Sequence, residues 1–153
     1  MKTVITYGTF DLFHVGHLRL LQRARVLGDR LIVGVSTDEF NRAKGKAAFT
    51  PFAERIEILK ACRWVDEVIA ETGWEQKRND IAIFRVDIFV MGSDWTGTFD
   101  GLSDLCQVKY LTRTPEISTT QIKTSLSQIA QAAVEAPMPL TSYHPGVLVE
   151  VGR

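Results

Sequence analysis

Apolar residues along this chain follow two alternating rhythms. Short runs rich in β-branched residues, Thr3 to Tyr7, Arg30 to Ser36, Val65 to Ala70, Asp87 to Gly92 and Gln107 to Leu111, read as strands. Between and after them, Val15 to Leu27, Pro51 to Cys62, Glu75 to Phe84 and Thr119 to Val134 carry apolar residues at helical spacing. Strands and helices in alternation build βαβ units, whose right-handed crossovers lay helices on both faces of a parallel sheet. The expected fold is α/β: a Rossmann-like three-layer sandwich around a mainly parallel five-stranded sheet. One unit is expected over residues 1–134, with 135–153 as a C-terminal tail.

Local signals refine these elements. In the first helix Val15, Leu18, Leu21 and Ala24 share one stripe, and Gly28 stands where a C-terminal stop is expected. Thr50-Pro51 reads as an N-cap followed by proline at the first helical position. Ser118-Thr119-Thr120-Gln121 fits a capping box, after which Ile122, Leu126, Ile129 and Ala133 recur at helical spacing. The segment Asp38 to Phe49 is too polar for a core and follows a strand, which marks it as a ligand loop. In the tail, Pro137, Pro139 and Pro145 precede the strand-like Val147 to Val151, which fits either an arm or an added edge strand.

Composition narrows the function. A chain of 153 residues with 45% hydrophobic and 24% charged residues can bury a core without disulfides or metals. Its 18 basic residues balance 18 acidic ones, so neither nucleic acid nor an anionic membrane is attracted by net charge, and any phosphate binding must be local. No apolar stretch approaches the roughly 20 residues of a membrane span, and no signal-peptide pattern opens the chain, so a cytoplasmic protein is expected. Cys62 and Cys106 lack CxxC spacing and read as core fillers.

The densest chemical signal is Tyr7-Gly8-Thr9-Phe10-Asp11-Leu12-Phe13-His14-Val15-Gly16-His17, a strand end, a turn and a helix start. A helix N-terminus offers unpaired N–H groups and about half a positive charge, both of which favour a phosphate. Gly8 and Gly16 allow close backbone approach, and His14 and His17, one helical turn apart, can donate to a triphosphate and stabilise charge on a leaving pyrophosphate. The plainer alternative is that one histidine caps the helix while the other packs beneath it. Strand before and helix after raise the weight of the phosphate reading.

These residues resemble the HxGH signature of the cytidylyltransferase superfamily of nucleotidyltransferases. A second signature stands at Arg113-Thr114-Pro115-Glu116-Ile117-Ser118-Thr119-Thr120. Further matches are Ser36-Thr37-Asp38-Glu39-Phe40-Asn41, Arg63-Trp64-Val65-Asp66-Glu67-Val68, Trp74-Glu75-Gln76-Lys77 and Val90-Met91-Gly92-Ser93-Asp94-Trp95. In order and spanning Lys2 to Ile129, the set is similar to the glycerol-3-phosphate cytidylyltransferase family. The resemblance implies a homodimeric enzyme that uses Mg²⁺, takes CTP and sn-glycerol 3-phosphate, releases CDP-glycerol and pyrophosphate, and serves teichoic acid synthesis. It implies that Thr9, Phe10, His14, Val15, Gly16 and His17 hold nucleotide phosphates, with Lys46, Arg113, Thr114, Ile117, Ser118, Thr119 and Thr120. Lys44 and Lys77 are implied to hold the acceptor phosphate.

Elementary electrostatics favours the same inventory. Attack of one phosphate on another needs positioning and charge neutralisation rather than a covalent nucleophile, and the chain supplies His14, His17, Lys44, Lys46, Arg55, Lys77 and Arg113 for it. Arg55 is assigned to the acceptor phosphate, with an exposed helical charge as its plainer alternative, and Trp74 either shapes that pocket or packs. Arg63 is placed at the nucleotide. Asp94 either recognises the nucleotide, helps hold Mg²⁺ or forms a turn, and Asp11 either serves a metal or supports the histidines. Where the family pattern is Arg-Thr-Glu-Gly-Ile-Ser-Thr-Thr, Pro115 and Glu116 replace Glu-Gly, with proline fixing φ beside Thr114 and Ser118. Ser93 replaces a usual Asp. Competing readings are a relative that uses ATP or another phosphorylated alcohol, and a catalytically inactive nucleotide-binding regulator.

Overall fold

A computed structural model describes residues 1–115 and 117–135. Five strands, β1 (Thr3–Gly8), β2 (Arg30–Ser36), β3 (Glu67–Glu71), β4 (Ile88–Gly92) and β5 (Gln107–Leu111), form one sheet in the order β3-β2-β1-β4-β5. Every pairing is parallel. Five helices accompany them: α1 (Val15–Arg25), α2 (Asp38–Ala43), α3 (Phe52–Ala61), α4 (Gln76–Ile83) and α5 (Thr119–Glu135). The expected three-layer parallel sandwich is the observed one.

The period-two alternation of the strands sorts their side chains into two cores. Val4, Leu31, Val33, Val35, Ile88 and Val90 face Leu21 and Ala24 of α1 and Leu59 of α3. Ile5, Tyr7, Ile32, Phe89 and Met91 face Ile81 of α4 together with Phe99 and Leu102. Since central parallel strands are covered on both faces, they are apolar throughout. Cys62 and Cys106, both free, pack against one core each. Strand order reverses between β1 and β4, and crevices at such switch points, outside the carboxyl ends of the strands, are where ligands bind in open α/β sheets.

Several local expectations change. The Asp38 to Phe49 stretch is not all loop: Thr37 caps α2 by accepting the Phe40 N–H at 3.1 Å, and Phe40 and Asn41 are buried. Polar composition concealed this short helix because only one of its faces meets the core. Pro51 precedes α3 rather than opening it, and the Phe52 N–H is capped from a distance by Asp38 at 3.1 Å. Gly28 does not adopt a left-handed stop; a Cβ there would lie 2.7 Å from the Lys2 carbonyl oxygen, so glycine permits close chain approach instead. The stripe on α5 is uncovered, with Leu126 and Ile129 exposed. The tail from residue 136 and Glu116 lie outside the described residues.

Gly34 pairs with Tyr7 across the sheet, and a Cβ at Gly34 would sit 2.2 Å from the Tyr7 ring. The ring fills the place of a side chain, as aromatic residues do over glycines in sheets. Gly34→Ala is expected to destabilise the fold by about 1–3 kcal/mol, the usual cost of overpacking, as read from urea unfolding.

Candidate active site

The β1–α1 turn is built against backbone preference. Phe10 and Leu12 hold φ of +54° and +48°, in the left-handed region that side chains disfavour, and such strain persists where surroundings over-determine it. The surroundings here are Asp11, which is nearly buried and accepts the Phe49 N–H at 2.9 Å, the Thr50 N–H at 2.8 Å and the Lys123 ammonium at 2.9 Å. Burial raises the Asp11 carboxyl, but these donors outweigh it and hold it below its ordinary value. Asp11 thus ties the turn to the Lys44–Thr50 connection and to α5, and its oxygens are engaged. It supports the histidine turn, one of the two roles left open for it.

His14 is the N-cap of α1, and its Nδ1 accepts the Gly16 N–H at 3.0 Å. The His14 N–H in turn donates to His17 Nδ1 at 3.4 Å. The rings stack with centroids 3.9 Å apart. With Nδ1 of each ring accepting, the neutral imidazoles carry their proton on Nε2. Thr119 agrees: its hydroxyl donates to the Asp11 carbonyl at 3.0 Å, leaving its oxygen to accept from His14 Nε2 at 3.4 Å. Burial first, then the neighbouring His14, pushes His17 down to about 4, and burial lowers His14 as well. The plainer structural role, one ring capping the helix and the other packing beneath it, is thus filled by these rings.

Two lobes of one cleft open at the switch point. The larger part of the second signature, Arg113, Thr114, Ile117, Ser118, Thr119 and Thr120, lines a lobe of about 290 Å³ with Thr9, Phe10, His14, Gly16, His17 and Asp94. A second lobe of about 470 Å³ is lined by Lys44, Lys46, Trp74 and Lys77. Thr9, Phe10, His17, Thr119 and Thr120 border both. Ser118 caps α5, accepting the Gln121 N–H at 3.1 Å, so a second helix start faces the cleft. Gly16 lets Ile117 close over the first: a Cβ at Gly16 would meet His14 Cε1 at 2.7 Å and Ile117 Cγ2 at 3.1 Å.

Three residues stand apart from their assignments. Arg55, placed at the acceptor phosphate or on an exposed helix face, is 1% exposed, and its guanidinium donates to the carbonyls of Thr9, Ser36 and Thr50 at 2.8, 2.8 and 2.9 Å and to Asp38 at 2.7 Å. It clamps the loops that form the cleft floor. Val15 is exposed and lines neither lobe. Arg63 lies on another surface, stacked on Trp64 at 4.6 Å beside Phe13, Leu18 and Ile58. Asp94 forms an exposed ion pair with Arg113 at 3.3 Å, and no cluster of three or more potential metal ligands occurs among the described residues.

Sequence reasoning missed Glu71, Ser36, Arg23 and Lys123. Buried Glu71 accepts from the Lys77 ammonium and from the Ser36 hydroxyl, each at 2.5 Å, while Lys44 donates to Ser36 at 2.9 Å. An acidic residue ending the strand-like run Val65 to Ala70 was the available signal. Arg23 holds the Thr112 carbonyl at 2.8 Å, fixing the chain just before Arg113.

Residues 5–125 match the family described as cytidylyltransferase-like. The chain belongs to that family. It is 57% identical over 127 residues to the glycerol-3-phosphate cytidylyltransferase of Bacillus subtilis (strain 168), covering 83% of this chain and 98% of the relative. Against the enzyme of that name from Staphylococcus aureus (strain NCTC 8325 / PS 47) identity is 56% over 126 residues, covering 82% and 96%. Among solved structures, a lipopolysaccharide core biosynthesis protein from Thermoplasma volcanium GSS1 superposes with a TM-score of 0.64 at 25% identity, covering 74% of this chain and 97% of that one.

Two measurements check the site. In the unfolded chain a histidine takes its proton near 6.5, whereas folded His17 does so only near 4, so the unfolded state binds more protons between those values. Stability should therefore fall as pH drops from 6.5 towards 4, and His17→Gln should show a smaller fall of the thermal midpoint over that window. Arg55→Ala should cost about 1–3 kcal/mol in denaturant unfolding, the usual cost of leaving buried acceptors, here the Thr9, Ser36 and Thr50 carbonyls, without their donor.

Proposed function

We propose that this chain transfers CMP from CTP to sn-glycerol 3-phosphate, giving CDP-glycerol and pyrophosphate. The observation that carries the reading is the two-lobed cleft, in which a donor-rich lobe and a lysine-rich lobe meet at His17, Thr9 and Thr119. The relatives' name, glycerol-3-phosphate cytidylyltransferase, supplies the substrates. An oxygen of the acceptor phosphate attacks the α-phosphorus at that junction, a new P–O bond forms, and the bond to pyrophosphate breaks in line.

In this reading the Nε2–H of His17, and that of His14 released from Thr119, donate to the triphosphate and strengthen as charge moves onto the leaving pyrophosphate. Neutral imidazoles suit the task, since they donate without a proton being lost or gained. The starts of α1 and α5 add backbone N–H groups, and Arg113 binds phosphate from the side, released from Asp94. Lys44 and Lys46 supply the positive charge of the acceptor lobe, and Trp74, with Lys77 already neutralised by Glu71, forms its wall. Because the Asp11 carboxylate is engaged, Asp94 is the carboxylate available to Mg²⁺, which ordinarily binds through one or two carboxylates together with substrate phosphates. Bound there, the ion would neutralise polyphosphate charge.

The same reading makes the protein a cytoplasmic homodimer serving teichoic acid synthesis. The exposed apolar patch around Leu18, Ile58 and Trp64, which carries Arg63, supports a contact between copies, and none of the described helices is long and apolar enough to cross a membrane.

Pyrophosphate release measured with CTP, ATP, UTP and GTP, each against glycerol 3-phosphate, ribitol 5-phosphate and phosphocholine, should be fastest for CTP with glycerol 3-phosphate. Release from no pair contradicts the proposal. His17→Ala should lower kcat at least about 10²-fold with little change in nucleotide affinity, the scale of losing one donor to developing charge, and unchanged turnover contradicts the role of the turn.

A further inference from the structure

One wall of the acceptor lobe has the composition of an ammonium cage. The Lys77 Nζ lies 4.6 Å from the centroid of the Tyr7 ring, 4.8 Å from Trp74 and 5.6 Å from Phe99, with the Glu71 carboxylate at 2.5 Å. Aromatic faces grouped around an anion are how proteins recognise quaternary ammonium ligands. Here the cage is filled from within: Lys77 is 3% exposed, Glu71 is 2% exposed, and Ser36 completes the carboxylate's hydrogen bonding at 2.5 Å. A second ammonium, Lys44, stands 4.0 Å from Glu71 and 5.4 Å from Trp74. Of the two lobes, Glu71, Trp74, Lys77 and Lys44 border only the acceptor lobe, whereas Tyr7, like His17, Thr9 and Thr119, borders both. An acceptor with its reacting phosphate where the lobes meet extends its alcohol portion towards this wall.

We infer that Lys77, held by Glu71 inside this aromatic cage, is a specificity-determining residue that admits phosphate esters of uncharged polyols and rejects those of ammonium-bearing alcohols. A ligand ammonium would find the ring faces and the carboxylate already taken, and would meet two lysine cations. A hydroxylated carbon chain meets no such repulsion. Removing the Lys77 charge reverses the local balance, because Glu71 is then a buried anion that favours a cation beside it.

This inference rests on the proposed acceptor class, and the experiment separates the two. Phosphocholine is compared with its carbon isostere, 3,3-dimethylbutyl phosphate, as competitors of glycerol 3-phosphate in CDP-glycerol formation, and by calorimetry with CTP bound. In the unsubstituted enzyme the isostere, which lacks only the ammonium charge, should bind at least about 10-fold more tightly than phosphocholine, a difference of about 1.4 kcal/mol. In Lys77→Met the preference should shrink by at least that factor or reverse, while Lys77→Arg should retain it. Equal binding of the two esters to the unsubstituted protein overturns the inference, as does a Lys77→Met variant that weakens both esters by one common factor. Should Lys77→Met fail to fold, the isostere comparison on the unsubstituted protein decides alone. Absence of CDP-glycerol formation in the unsubstituted protein counts against the proposed function, and calorimetry still reads the cage.

Discussion

Two hydrogen bonds at the start of α1 govern what this site can do: Gly16 N–H to His14 Nδ1, and His14 N–H to His17 Nδ1. They satisfy amides that a helix start leaves unpaired, and with the same atoms they commit each imidazole to one tautomer. Burial keeps His17 neutral, Phe10 meets its ring edge-on at 5.4 Å, and Phe13 lies 5.6 Å away. Helix capping and presentation of Nε2–H donors are thus one arrangement, and the strained φ at Phe10 and Leu12 is part of holding it.

The rest of the cleft follows from charges paired in advance. The chain has zero net charge, and several cations around its cleft are matched in advance, Lys77 with Glu71, Arg55 with Asp38 and backbone carbonyls, and Arg113 with Asp94. Arg55 is consumed wholly by the scaffold, joining β1, β2 and the segment before α3 through carbonyls. Asp11 and Lys123 join the two signature segments to the Lys44–Thr50 connection, Lys123 also reaching the Ala47 carbonyl at 3.3 Å. Arg113 with Asp94, by contrast, stays exposed and exchangeable. Burial separates the scaffold ions from those that can bind ligand.

This distinction marks how far the sequence could be read. Periodicity located every strand, with Arg30–Ser36 and Gln107–Leu111 matched at both ends, and it placed the start of α5 at Thr119. The strand–turn–helix context of His14 and His17 and the serine–threonine end of the second signature were legible because they are local. What pairs over long separations was not. Arg55 looks like any helical arginine until Thr9, 46 positions earlier, is folded against it. The bond from Thr119 to Asp11 spans 108 positions. Val15 and Arg63 sit inside or beside informative motifs yet face away: Val15 is turned about 100° round α1 from its neighbour, and Arg63 lies in the turn after α3 on another surface. Glu71, a lone acid ending an apolar run, acquired meaning only with Lys77 beside it.

The central claim is that the hydrogen bonds that cap α1 fix His14 and His17 as neutral Nε2–H donors. Nitrogen-15 NMR of histidine-labelled protein at pH 7, before and after CTP is added, reads protonation and tautomer directly. Both rings should show an Nε2–H, Nδ1-unprotonated pattern in the free protein, with the Nε2–H resonances moving downfield when the triphosphate binds. An Nδ1–H tautomer for either ring in the free protein, or Nε2–H resonances that ignore CTP, would contradict the account.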